Sequence, residues 1–349
     1  MIKQELKKIF LKRRLILLIA FILAAEAVLS AVGIRSELKT AADREVYMDL
    51  YNEFSGGMTA EKAEAIIAQK ALFENAPFTA PDGNSTENME KVSRYLTGRL
   101  GATVFFEDAD YAVRTGKPIV NGAAWRVLFP KERPDLLLAA AMLVFVIITE
   151  TAENETNITL IKHTSPNGRR KLYLLDTAIG LALAVLLYAA AATIRLLAVS
   201  AAFGHSEWRS PLTALSLFEN SPFASLALGQ GWLFTIVLGT LGLAAFTSLM
   251  FLFGRLLRSS LTTALAGLLS VILPPYILDA PFIYYFSPVS LMQSVGFLFG
   301  DVFVEGQEYG GRIVFSTAAG TGSLVVSVCI AVLLIAAAMV YCGERRKRT

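Results

Sequence analysis

The chain has 349 residues, 54% of them hydrophobic and only 17% charged, with 32 Lys and Arg against 29 Asp and Glu for a net charge of +3. Uncharged stretches of ~18 residues or more, long enough to cross a ~30 Å hydrocarbon core, exclude a soluble globule and predict an all-α polytopic membrane protein. So small a net charge gives no reason to expect a nucleic-acid partner, and two cysteines in one apolar run, Cys329 and Cys342, exclude a disulfide framework.

In chain order, residues 1–14 place Ile2, Leu6, Ile9 and Phe10 on one helical stripe and Lys3, Lys7, Lys8 and Lys12 on the others. That is the pattern of a cytoplasmic amphipathic helix lying in the membrane interface and resting on lipid. Six membrane spans are predicted beyond it, at residues 15–34, 136–152, 172–197, 232–253, 259–278 and 323–342. The first is retained, because its apolar stretch is longer than that of a signal peptide and Ser36, Glu37 and Leu38 make no small-x-small cleavage site.

The second span has a short uncharged run, Leu136 to Thr149, and the distribution of basic residues supports it. Sixteen Lys and Arg, in residues 3–14, 162–171, 255–258 and 345–348, share one side of the membrane only if this run crosses. Loops 203–231 and 279–322 carry one each, Arg209 and Arg312. The positive-inside rule then places both termini and the basic tail 343–349 in the cytoplasm of a multi-pass cell-membrane protein.

Residues 35–135, with 13 Lys and Arg against 16 Asp and Glu, form the one long hydrophilic segment and are expected outside as a mostly helical domain. One helix is predicted from Met58 to Ala76 with Thr59 as its N-cap, a second from Ser85 or Thr86 to Leu100, with Pro81, Asp82 and Gly83 breaking the chain between them. The cytoplasmic loop 153–171 holds an apolar cluster, Ile158, Leu160 and Ile161, ahead of a turn at Ser165 to Gly168. A short amphipathic helix there has either a partner's groove or the bilayer surface to rest on. Pro274, Pro275 and Pro288 break the fifth span and the stretch after it, which predicts a re-entrant or looped region over 279–322.

Charged residues within spans are costly and functional by default, which singles out Glu26 and Asp176. Glu26 lies ~18 Å into the membrane from Arg14 at 1.5 Å per residue, whereas Asp176 and Arg195 are close enough to span ends to reach the interfaces. Ala24, Ala25 and Ala27 are small enough to admit another helix beside Glu26. Enzymatic chemistry has little footing: His163 and His205 fall on opposite sides of the membrane, and neither H-E-x-x-H nor G-x-S-x-G occurs.

Several of these segments together carry a family likeness. The opening Glu5 to Arg14, the external run Tyr51, Gly57, Thr59, Glu61, Lys62 and Ile66, the approach from Trp125 to Pro134, and Glu155 with Thr164, Ser165, Gly168, Arg169 and Lys171 resemble the ABC-2 type permease subunits of bacterial ABC transporters, in particular the stand-alone permeases of Gram-positive bacteria. The chain departs from that pattern at Asn157, where relatives often have glycine, and at Asp176, where they often have lysine. The resemblance implies a six-helix exporter that pairs with a second permease copy or paralogue and with an ABC ATP-binding subunit. It makes Asn157, Ile158, Leu160, Ile161, His163, Arg169 and Arg170 the loop that couples to the ATPase. Cofactors are expected to be none in this chain, with ATP bound by the partner, since no G-x4-GK-[ST] phosphate loop is present. The alternatives are a proton-coupled secondary transporter using Glu26, or a membrane sensor acting through its external domain.

Overall fold

The computed structural model of the chain describes residues 15–75, 86–129, 136–151, 168–204, 207–219, 221, 223–257, 259–269 and 291–292. The expected interfacial helix, most of the coupling loop, the later part of the fifth span, the 279–322 region, the sixth span and the basic tail lie outside these residues, apart from positions 291 and 292. Among the described residues there are no strands, only two isolated β-bridges, Gly56 with Ile119 and Pro211 with Ala227.

The helices are α1 (Leu15–Glu37), α2 (Ala41–Phe54), α3 (Ala60–Asn75), α4 (Thr86–Thr97), α5 (Arg99–Thr115), α6 (Gly122–Leu128), α7 (Leu136–Val146), α8 (Gly168–Phe203), α9 (Leu228–Leu257) and α10 (Ser260–Gly267). A π-helical turn, Ile147–Thr151, continues α7. Among the described residues, three segments are long and apolar enough to cross a membrane: α1, the Leu175–Phe203 part of α8, and α9. Helix α7 is apolar but shorter. The long helices expose Leu17, Phe21 and Val28, Leu186 and Leu197, and Leu233 and Val237. Large apolar side chains turned outward in such numbers are what a hydrocarbon surround favours and water does not.

The described chain divides into two units, and α1, α8 and α9 contribute residues to both. One comprises the described residues of Met1–Glu26, Lys131–Thr193 and Leu233–Thr349. Its core joins Leu15 and Ile22 of α1, Met142 and Phe145 of α7, Leu183, Leu187 and Tyr188 of α8, and Phe246, Met250 and Phe251 of α9. Glycines let these helices approach: a methyl group on Gly180 would meet the Phe251 ring at 2.5 Å and the Phe145 ring at 3.1 Å, and one on Gly239 would overlap the Tyr188 hydroxyl.

The other unit comprises the described residues of Ala27–Pro130 and Ile194–Trp232. Here α5 packs against α2, α3, α4 and α6, and its buried Phe105 and Phe106 meet Tyr47, Phe54, Phe73 and Tyr95 at centroid distances of 5.5–6.2 Å. Thr59 Oγ1 accepts from Lys62 N at 3.2 Å at the start of α3. The second expected helix, from Ser85 or Thr86 to Leu100, stops at Thr97, because Gly98 separates α4 from α5.

One carboxylate caps two helices. Thr40 and Asp43 form a capping box at the start of α2, with Asp43 Oδ2 accepting from Thr40 N at 3.0 Å and from its hydroxyl at 2.7 Å. The other oxygen, Asp43 Oδ1, accepts from Leu100 N at 3.1 Å and Gly101 N at 3.4 Å, in the first turn of α5. Gly98, the N-cap residue of α5, has no side chain with which to do so. A Cβ on Gly101 would collide with the Asp43 carbonyl, so only glycine permits this approach. The far end of α5 closes on Gly116 in the left-handed conformation, φ 67°.

Burial works to raise the Asp43 carboxyl, but hydrogen bonds from the Thr40 side chain and backbone, Gly101 and Leu100 outweigh it and hold the value below the ordinary 3.8. The stabilisation this provides is fully present above pH 3.8 and disappears as pH falls through the lower folded value. Asp43→Ala should cost about 2 kcal/mol at pH 7, two lost caps at ~1 each, and should flatten the acid limb of a melting-temperature-against-pH curve recorded in detergent. An unchanged acid limb would show that the cap contributes little. Gly101→Ala should destabilise by about 1–3 kcal/mol or more through overpacking at every pH.

Candidate functional site

Of the residues singled out in the sequence, Asn157, Ile158, Leu160, Ile161 and His163 lie outside the described residues. Arg169 and Arg170 fall in the first turn of α8. Glu26 and Asp176 are both buried, Glu26 on α1 with Ile22 and Ser30 one turn to either side, Asp176 on α8. Each has an interaction within the structure. Glu26 therefore turns away from the surroundings, as the cost of a charge in hydrocarbon requires. The alanines beside it do not create that shelter: Ala24 and Ala27 are exposed, on the other side of α1.

The best-defined polar cluster is one the sequence reading missed. Arg126 of α6 donates from Nη1 and Nη2 to Asp108 of α5 at 2.7 and 3.2 Å, and from Nε to Glu37 at the end of α1 at 2.8 Å. The guanidinium fork meets the Asp108 carboxylate in a bidentate pair, leaving Nε free to reach the second carboxylate. Burial pushes the Asp108 carboxyl above its ordinary value despite the opposing pull of Arg126. Burial also works against the charge on Arg126, but Asp108 and Glu37 outweigh it and raise its value. Gly122 lets Asp108 sit against the start of α6, since a Cβ there would overlap the carboxylate. A signal was present in the sequence: Arg126 is the one charged residue between Lys117 and Lys131, in a stretch dominated by apolar side chains, and a lone charge there needs a partner.

The chain's three tryptophans pack together, with Trp125 next in sequence to Arg126. Trp208 meets Trp125 at 5.6 Å and Trp232 at 5.3 Å, both edge to face, and Trp125 stacks on Phe129 at 5.5 Å. The Tyr47 hydroxyl accepts from Ala123 N at 3.1 Å, and its burial raises the phenol above its ordinary value. Burial, with Glu207 adding to it, pushes Tyr51 up to about 12. Tyr111 donates to the Thr213 carbonyl at 2.9 Å and accepts from Lys117 at 3.0 Å. These contacts tie α2, α5 and α6 to residues 207–232. Among the described residues no group of three or more His, Cys, Asp or Glu side chains is placed to hold a metal ion.

The arrangement defines an all-helical chain of membrane-protein type with a separately packed helical lobe. Comparison with protein-family models, curated proteins and solved structures finds no match.

The ion cluster makes a prediction. Arg126→Met leaves two carboxylates facing each other without a cation and should destabilise by about 3–5 kcal/mol at pH 7. Because Asp108 then titrates still higher, part of the loss should return as pH is lowered from 7 to 5. Tryptophan-monitored melts in detergent check both, and a variant with wild-type stability at pH 7 would show the cluster to be incidental.

Proposed function

We propose that this chain is the membrane-spanning permease subunit of an ABC-2 type ABC transporter, exporting a substrate across the cell membrane with ATP hydrolysed by a separate subunit. The observation that carries the reading is the conjunction of segments resembling that family with three long helices whose apolar side chains face outward. No phosphate loop occurs within these residues, so ATP binding belongs to the partner. Two permeases, as copies or paralogues, assemble with the ATP-binding subunits. Closure of the ATPases on ATP pushes on the 153–171 loop of each permease, and the helices reorient between inward-open and outward-open states.

In this reading Ile158, Leu160 and Ile161 are the buried anchors of the ATPase contact. Changing Leu160 and Ile161 to Asp should preserve membrane insertion but abolish co-purification with a co-expressed ATP-binding subunit, because a charge buried without a partner costs several kcal/mol. If co-purification and ATP-driven transport both survive, the loop rests on the bilayer and the reading loses its coupling element.

The burial of Glu26 favours one competing reading, a proton-coupled transporter. Glu26→Gln keeps the shape of the side chain and removes its titration. Under the permease reading, ATP-driven transport in liposomes and its pH dependence should be unchanged. Loss of transport with assembly intact would favour proton coupling instead.

A further inference from the structure

The outward stripe of α1 ends in a cation. Leu17, Phe21, Val28 and Val32 are exposed and follow one another at steps of four and seven, so they share one face of the helix. The next step, of three, reaches Arg35, which is exposed on that same face. From Leu15 to Arg35 is ~30 Å at 1.5 Å per residue, the thickness of a hydrocarbon core. Arg35 therefore stands where hydrocarbon gives way to headgroups, and exposed Lys39 follows two residues past the end of α1.

The same change of surface marks the start of α9. Leu233 and Val237 are exposed and apolar, and the turn before them is held by Trp208, whose carbonyl accepts from Gly229 N at 3.0 Å. Beside Trp208 in sequence is Arg209, which is exposed. The end of α1 and the start of α9 belong to one unit, joined through Trp125, which meets Trp208 and neighbours the Arg126 that binds Glu37. Tryptophans and cations collected at the end of an apolar run are what a membrane-water boundary selects. The acids near these cations are engaged elsewhere: Glu37 accepts from Arg126 at 2.8 Å, Asp43 caps α2 and α5, and Glu207 accepts from Ser210 Oγ at 3.3 Å and from the Tyr51 hydroxyl. Glu45, exposed on α2, is the one acid between Ala27 and Asp49 not so engaged.

We propose that Arg35, Lys39 and Arg209 form a binding surface for the headgroups of anionic phospholipids in the leaflet reached by the C-terminal end of α1. Phosphate oxygens there accept from the two guanidinium forks and the ammonium, while the acyl chains run down the stripe past Val32 and Val28. Charge complementarity selects the occupant: cations face outward at the boundary, and the nearby carboxylates are turned to protein neighbours. The surface rests on α1 crossing a bilayer and not on the permease reading.

Quenching of tryptophan fluorescence by brominated lipid tests it on the full chain in vesicles. At equal mole fraction in unlabelled phosphatidylcholine, brominated phosphatidylglycerol should quench more than brominated phosphatidylcholine does, and added salt should shrink the difference. Arg35→Gln, Lys39→Gln and Arg209→Gln should each lower that preference by up to about fivefold, the factor that one basic residue near an anionic surface supplies. Equal quenching by the two lipids would overturn the surface, as would an undiminished preference in the triple variant. Arg94→Gln, which removes a cation paired with Asp49, should change nothing; a loss as large as that of Arg35→Gln would point to general charge and defeat the assignment. Displacement by inorganic phosphate at matched ionic strength would make this a soluble-anion site and not a lipid one. Spin labels on Val28→Cys, Arg35→Cys and Glu64→Cys, each in a Cys329→Ala, Cys342→Ala background, give a second measurement that does not depend on affinity. They should report hydrocarbon, headgroup and water in turn, and a label at 35 deep in hydrocarbon or free in water would sink the proposal. Neither experiment contains an ATPase, so failure of this surface leaves the permease reading standing, and failure of that reading leaves the surface.

Discussion

Hydrocarbon offers no hydrogen-bond partner to a peptide group, and that single constraint organises α1, α8 and α9. Each closes its backbone bonds internally as one uninterrupted helix and turns large apolar side chains outward. Several helix hydroxyls bond back to their own helix: Thr193 donates to the Ala189 carbonyl at 2.8 Å, Thr247 to Leu243 at 2.7 Å and Thr263 to Ser259 at 2.8 Å. Without water to drive apolar helices together, association depends on fit. Gly180 and Gly239 provide it reciprocally, one receiving an aromatic ring from α9 and the other giving α9 the notch for a ring from α8.

The lobe built from the described residues of Ala27–Pro130 and Ile194–Trp232 is organised around polar contacts as well as an aromatic core. Its aromatic core of Tyr47, Phe54, Phe105 and Phe106 is buried, and its helix ends are capped by side chains: Thr40 and Asp43 for α2, Asn121 for α6. Its surface ion pairs, Arg94 with Asp49 at 3.0 Å and Arg114 with Glu219 at 3.3 Å, are solvent-exposed and contribute little. Arg126 is different because it is enclosed. Removing it strands Asp108 and Glu37, so the cluster specifies how the end of α1, α5 and α6 meet more than it adds net stability.

Apolar length was the legible signal in the sequence. The uncharged runs locate α1, α8 and α9, but the helices continue past them, to Glu37, from Gly168 to Phe203 and from Leu228 to Leu257, because a helix does not end where hydrophobicity does. Helix α2 went unread: Ala41–Phe54 is rich in charge, and its apolar face shows only once Val46, Tyr47, Leu50 and Phe54 are seen buried together. The long-range partnerships were out of reach for the same reason. Asp43 and Gly101 lie 58 residues apart and Arg126 and Glu37 lie 89 apart, and no periodicity within one segment encodes which distant segment will supply a cap or a counter-charge.

The π turn at Ile147–Thr151 shows how a local choice follows from these constraints. In that turn Thr149 shares its hydroxyl proton between the Phe145 and Val146 carbonyls. Only Ser or Thr at that position carries a donor short enough to fold back on its own helix. The widened turn packs against α10, and Phe145 just before it holds Gly180 and Phe251. The irregular turn and the tightest three-helix contact are thus adjacent on one helix: α7 is pinned at Phe145 and departs from regular α-helix immediately beyond it.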